Sequence, residues 1–99
     1  MKVNISSLQF KADVKLEDFV REKVGKLAQL YENVLGCDVI LRLESASNNE
    51  NKIAEIRLLI PGNDLFAKKQ AKSFEEAVDN SVDALKRQLK RHKEKVKGM

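Results

Sequence analysis

The 99-residue sequence is poor in cysteine, proline, glycine and aromatic residues, with one Cys, one Pro, four Gly, four Phe, one Tyr and no Trp. Cys37 alone cannot form an internal disulfide bond, which excludes a small secreted scaffold held together by disulfides. The longest unbroken apolar runs have three residues, such as 39–41. They are too short for a membrane span or a signal-peptide core, so a soluble, cytoplasmic protein is expected.

Residues that could carry catalysis or bind a metal are also scarce. His92 is the only histidine, and its spacing favours a partly packed side chain over a catalytic base. Cys37 has no second cysteine and no nearby histidine in sequence, so it forms no metal-ligand pattern. The four glycines are too scattered for a phosphate-binding loop. We therefore expect no catalytic residue, metal, cofactor or small-molecule substrate.

The length fits a single domain over residues 1–99. With 42% hydrophobic and 34% charged residues, the chain is too apolar to be disordered. It can form one modest core between two layers of secondary structure.

The net charge of +4 is unevenly distributed. Residues 1–64 hold 9 basic and 10 acidic side chains, whereas residues 65–99 hold 10 basic and 5 acidic ones. Within 86–97 there are seven basic residues and one acid, Glu94. The helix dipole favours a few cations near a helix C-terminus. The seven basic residues of this segment are more than that effect explains. The basic helical end from about residue 86 favours a polyanionic partner.

Hydrophobic periodicity predicts six elements. Alternating apolar residues predict strands over 3–10, 38–44, 54–60 and 65–71, the first with a bulge if Leu8 and Phe10 are to share the face of Val3. Helical spacing predicts helices from Leu16 to about Asn33 and from a capping box at Ser73 to Val96.

Turn-forming residues predict the connections between these elements. We expect Gly36 to end the first helix. Gly25 lies in the interior of that helix, where glycine costs about 1 kcal/mol relative to alanine, and the sequence does not show whether a neighbour approaches it closely. A loop is expected over 45–51, and a turn over 61–64. The fold class is therefore α+β: a two-layer sandwich of order β-α-β-β-β-α, with a four-stranded sheet carrying both helices on one face.

A helical wheel separates the residues of the last helix by face. The stripe of Phe74, Val78, Val82, Leu85, Leu89 and Val96 forms the predicted core side. Lys86, Lys90, Lys93 and Lys97 lie at its flank, while Arg87 and Arg91 point away from the core.

A second basic tract, AKKQAK at 67–72, resembles the lysine run near the last helix of double-stranded RNA-binding domains. There the lysines contact phosphates, which makes Lys68, Lys69 and Lys72 additional candidate RNA contacts. An exposed strand end protected by lysines would give the same pattern. The predicted two-layer sandwich is similar to the fold of that domain, although the element order departs from it, because the domain begins with a helix and has no preceding strand.

With this element order, the sequence resembles the short form of the ribosome hibernation promoting factor family, which includes the ribosome-associated inhibitor and was also called the sigma-54 modulation proteins. The most specific match is FEEAVD at 74–79 followed by DALKRQLKRHK at 83–93, and KVGKL at 23–27 is similar to the family's Lys-Leu-x-Lys-Leu. The family usually has Tyr where this sequence has Phe74, so a role of that hydroxyl does not carry over. The dimerisation domain of long members and the extended tail of some short inhibitors are not found in the sequence.

The resemblance implies a protein that binds the small ribosomal subunit, through 16S rRNA, at the mRNA channel and the A- and P-site region. It would block translation and protect or dimerise idle ribosomes, and it would be a monomer when off the ribosome. Whether it promotes 100S dimers or only silences 70S particles is left open. The rRNA-binding residues it points to are Lys23, Lys26, Lys86, Arg87, Lys90, Arg91 and Lys93, of which Lys23 and Lys26 rest on the family pattern alone.

Two alternatives remain at this point. One is a free double-stranded RNA-binding module. The other is a membrane- or partner-docking module that uses the basic amphipathic helix. The bulky apolar residues of that helix match a core stripe and it has no Trp, which disfavours membrane docking.

Overall fold

A computed structural model describes residues 1–45 and 49–97, with side chains of the second range up to Lys95. The elements in chain order are β1 (Lys2–Leu8), α1 (Val14–Leu30), β2 (Gly36–Leu43), β3 (Lys52–Leu59), β4 (Leu65–Ala71) and α2 (Phe74–Lys97). The predicted loop over 45–51 lies partly outside the described residues. The side chain of Val96, predicted on the core side of the last helix, also lies outside them.

The four strands form one mixed sheet in the order β1-β2-β3-β4. β1 and β2 are parallel, with Val3 opposite Cys37, because α1 carries the chain back across the sheet between them. β2 pairs antiparallel with β3, and β3 pairs antiparallel with β4. The predicted α+β class and element order are confirmed.

Both helices contribute to one hydrophobic cluster on one face of the sheet. Alternate residues of β2, β3 and β4 enter it, as do Leu16, Val20, Val24 and Leu27 of α1. From α2 the contributing residues are Ala77, Val78, Val82, Leu85 and Leu89. The predicted apolar stripes of both helices are therefore the core, apart from half-buried residues at their edges.

Strand β1 alternates strictly between the two faces of the sheet, without the bulge that would place Leu8 beside Val3. Val3, Ile5 and Ser7 point towards the helices, whereas Leu8 is exposed on the opposite side. Phe10 reaches the core only after the strand has ended. The chain turns at Gln9, whose φ is +71°, and Phe10 then stacks on Phe74 with ring centroids 4.3 Å apart.

Helix α1 begins earlier and ends earlier than the periodicity predicts. Asp13 is its N-cap, and the Asp13 carboxylate accepts a hydrogen bond from the Leu16 amide at 2.8 Å. The prediction that Gly36 ends this helix is wrong, because Gly36 is the first residue of β2. A Cβ there would lie 3.1 Å from the Lys2 carbonyl oxygen, so glycine permits close pairing with β1. At Gly25, by contrast, a Cβ would meet nothing within 4 Å, so no close approach explains that glycine.

The β3–β4 turn and the beginning of α2 follow the predictions. Gly62 has a φ of +84° in the turn, a value that glycine adopts without strain. Ser73 caps α2, since its hydroxyl oxygen accepts from the Glu76 amide at 3.1 Å.

The opposite face of the sheet carries no helix and is held by polar contacts. Arg42 of β2 forms an ion pair of 2.8 Å with Glu55 of β3, and Asn4 donates to Asp38 at 3.0 Å. Ile53 lies opposite Arg42 and Gln70 in register, and it is nevertheless buried.

Cys37 is a fully buried residue of the core, and burial determines the reactivity of its thiol. Burial raises the pKa of its thiol to about 12, and the neighbouring Asp38 carboxylate adds to that increase. At neutral pH almost none of it is thiolate, the form that reacts. Cys37 is therefore a small core side chain.

We expect the Cys37 thiol of the folded protein to react with iodoacetamide at pH 8 about a thousandfold more slowly than in urea. Because its folded pKa exceeds the ordinary value of 9.0, the stability it contributes is complete below pH 9 and is lost as pH rises towards 12. A Cys37→Ala variant should show a shallower loss of stability over that range. Equal labelling rates in buffer and urea would contradict the raised pKa of the Cys37 thiol in the folded protein.

Candidate nucleic-acid interface

The basic half of α2 extends beyond the sheet. α2 runs antiparallel to β4, and the Gln88 side-chain amide donates to the Phe66 carbonyl at 2.9 Å. Phe66 is the second residue of β4, so residues after Gln88 pass the end of that strand. The helix has 24 residues, a length of about 36 Å. Its last two turns therefore lie beyond the end of β4.

Six basic side chains occupy 86–95, a stretch that begins beside the end of β4 and continues past it. Five of them are exposed and Lys93 is half-buried. The ion pairs among the side chains that the structure describes join other residues and involve none of the six. Cations without ion-pair partners on a helix suit a polyanion, because no internal ion pair must break before they bind. The six are Lys86, Arg87, Lys90, Arg91, Lys93 and Lys95.

Helix α1 lies beside α2 in parallel orientation and adds one further exposed cation. Lys26 is exposed on α1. Lys23 differs from it, because its ammonium forms an ion pair of 3.2 Å with Asp79 of α2 and lies 5.5 Å from the Phe19 ring centroid. Both lysines are predicted to contact rRNA. Lys26 is exposed and available for such a contact, whereas Lys23 links α1 to α2 through Asp79.

The end of α1 is attached to the projecting part of α2. The Lys93 ammonium donates to the Leu30 carbonyl at 2.9 Å, which satisfies one of the last carbonyls of α1. The Tyr31 hydroxyl lies 3.3 Å from His92 Nε2, and the two rings meet edge to face at 5.4 Å. His92 is half-buried, as its spacing predicts. These contacts fix the angle at which the basic end of α2 leaves the domain.

A groove opens between the end of α1 and the basic turns of α2. It has a volume of about 370 Å³. Its floor is apolar and its rim is mainly cationic. The lining residues are Leu30, Lys86, Leu89, Lys90, Lys93 and Glu94.

The candidate lysines of β4 do not join this surface as a group. Lys68 lies opposite Glu55 in register, on the face of the sheet away from the helices. Lys69 is on the helix side but exposed at the edge strand, and Lys72 follows the strand. Their role as additional RNA contacts stays a prediction.

Sequence reasoning missed three residues of the site. Leu30 is one helical turn beyond Leu27 and could have been found as an extension of the apolar stripe past the last core residue. Asp79 and Glu94 carry no local signal, because their roles depend on which residue of α1 faces them.

Two classes of site are not found in the described part of the chain. No group of three or more His, Cys, Asp or Glu side chains there could hold a metal ion. No helix among those residues is long and apolar enough to cross a membrane.

The fold and the projecting helix define a small two-layer α+β protein with an electrostatic surface suited to a polyanion. The chain belongs to the family described as sigma 54 modulation protein / S30EA ribosomal protein, whose model matches residues 3–97. It is 33% identical over 95 residues to the ribosome hibernation promoting factor of Pseudomonas putida strain KT2440, covering 96% of this chain and 89% of that protein. It is 28% identical over 97 residues to the factor of the same name from Escherichia coli K12, covering 98% of each.

Solved structures agree on the fold. The N-terminal domain of Protein Y from Thermus thermophilus superposes with a TM-score of 0.80 at 24% identity, covering 93% of this chain and 99% of that one. A ribosomal subunit interface protein from Coxiella burnetii superposes with a TM-score of 0.82 at 17% identity, covering 94% and 98%.

Proposed function

We propose that this protein is a ribosome hibernation factor that acts in the cytoplasm as a monomer until it binds the small ribosomal subunit. Its relatives carry the name ribosome hibernation promoting factor. The observation that carries the proposal is the row of cations without ion-pair partners over 86–95 of α2, which continues past the end of the sheet.

The projecting helix and the end of α1 would form the ribosomal RNA contact. Lys86, Arg87, Lys90 and Arg91 are exposed for phosphate binding, and Lys26 adds a cation from α1. Lys93 has three ammonium donors, of which the Leu30 carbonyl takes one. Lys23 contributes by holding the helices together, since binding a phosphate would require it to leave Asp79.

The proposed mechanism is steric exclusion. A folded domain held in the mRNA channel and the A- and P-site region would occupy the space that mRNA and tRNA need. Phosphate contacts fix position without reading base sequence, so the folded shape of 16S rRNA would determine where the protein binds. A projecting helix is suited to this because it can enter a crevice that the sheet cannot. Occupancy of this site would silence the ribosome and protect it while idle.

Binding to purified 30S subunits should depend steeply on salt. If about five cations neutralise phosphates, log Kd against log salt concentration should have a slope with a magnitude on the order of 3.5 to 4.5. Fluorescence anisotropy of the labelled full chain between 50 and 300 mM KCl measures it.

A short RNA duplex serves as the comparison in that titration, because it offers phosphates without the subunit's shape. Binding to 30S subunits should be much tighter than binding to the duplex at every salt concentration. A flat salt dependence would contradict the phosphate contacts. Equal affinity for the duplex would instead favour the free double-stranded RNA-binding module.

A further inference from the structure

We infer that the groove between α1 and α2 accepts one unstacked nucleotide of the bound RNA, with its base on Leu30 and its phosphate on the lysines. The inference rests on the proposed function and names a ligand that phosphate binding alone does not require. Leu30 is an exposed apolar side chain among the basic residues that line the groove. Leu30 is 43% exposed, although the apolar residues of α1 that precede it on this stripe are buried.

The floor of the groove favours a planar apolar group over a bare anion. Leu30 from α1 and the buried Leu89 from α2 form it. A phosphate gains nothing from the exposed surface of Leu30, whereas the face of a base removes that apolar surface from water when it covers it. The volume of about 370 Å³ is within the range of small-ligand sites, about 300 to 1,000 Å³.

The rim of the groove supplies the charges that a nucleotide needs. Lys86, Lys90 and Lys93 line it, and Lys26 lies one turn before Leu30 on the same face of α1. Lys93 is held in place by the Leu30 carbonyl at 2.9 Å. The bond to the Leu30 carbonyl keeps the Lys93 ammonium beside the apolar floor.

Glu94 gives the groove a preference among bases. Glu94 is a lining residue of the groove, where its carboxylate would repel a phosphate and accept hydrogen bonds from a base. Guanine presents two adjacent N–H donors on its Watson–Crick edge, which match the two oxygens of a carboxylate. A guanine nucleotide is therefore the occupant that uses every group of the groove.

Titration of the ¹⁵N-labelled full chain with GMP, UMP, ribose 5-phosphate and inorganic phosphate at constant ionic strength tests the inference by NMR. GMP should shift the amide signals around Leu30, Leu89 and Lys90, and it should bind at least about fivefold more tightly than ribose 5-phosphate. A Glu94→Gln variant should lose the preference for GMP over UMP. Equal binding of GMP and ribose 5-phosphate would overturn the inference, because the lysines would then bind phosphate alone.

Variants of the floor connect this groove to ribosome binding. Leu30→Ser should weaken binding to 30S subunits about fivefold while the salt slope stays unchanged, and Leu30→Met should restore it. Leu35→Ser is the matched control, because Leu35 is 63% exposed and does not line the groove. If Leu30→Ser binds like the wild type, the inference fails and the proposed function stands. If the wild type does not bind ribosomes, the proposed function fails, and the GMP titration still tests the groove.

Discussion

Replacing Lys86, Arg87, Lys90 and Arg91 with glutamate should weaken ribosome binding by on the order of a thousandfold or more. Each reversal removes a phosphate partner and places a like charge against the RNA backbone. All four side chains are exposed, and none is in an ion pair among the described side chains. The fold should therefore survive, as measured by circular dichroism and thermal unfolding.

A matched control separates the position of the charges from their number. Reversing Lys2, Lys11, Lys15 and Arg21 changes the net charge by the same amount at exposed sites outside α2. This control should lose much less affinity for 30S subunits at 150 mM salt. Equal losses in the two variants would show that net charge alone drives binding, which would remove α2 from the interface.

Leu85→Ala should reduce the free energy of unfolding by about 2 to 5 kcal/mol. Leu85 has no exposed surface and lies in the cluster through which α2 packs on the sheet. Domains of this size have a free energy of unfolding of only about 5 to 15 kcal/mol, so this substitution removes a large share of the total stability. Urea unfolding should show a lower midpoint with an unchanged slope.

Leu35→Ala is the control for that substitution, since it removes the same atoms from a side chain that is 63% exposed. Its unfolding free energy should stay within about 0.5 kcal/mol of the wild type. A Leu85→Ala protein as stable as this control would mean that α2 does not pack on the sheet as described.

Local patterns in the sequence are sufficient to predict the elements and most of the core. The i, i+3, i+4 spacing of Val78, Val82, Leu85 and Leu89 identifies the buried face of α2, because one face of a helix is all that the sheet can cover. The Ser73 cap and the turn at Gly62 depend on backbone geometry within a few residues. They were predicted for that reason.

Non-local pairing accounts for what the sequence did not show. The parallel pairing that places Gly36 against Lys2 joins residues more than thirty positions apart, so Gly36 looked like a helix end. The ion pair of Lys23 with Asp79 joins residues that are distant in sequence, so no local pattern predicts it. The groove likewise needs Leu30 beside Lys93. The exposed cations of α2 were predictable, because a helical wheel separates them from the core without reference to any other element.

Competition of this protein with mRNA and tRNA is measured by cosedimentation with purified 30S subunits that are either empty or preloaded with mRNA and tRNA. Empty subunits should carry the protein through a sucrose gradient, and preloaded subunits should not. Equal cosedimentation with empty and preloaded subunits would contradict this prediction, because the protein would then bind outside the mRNA channel and the A- and P-site region.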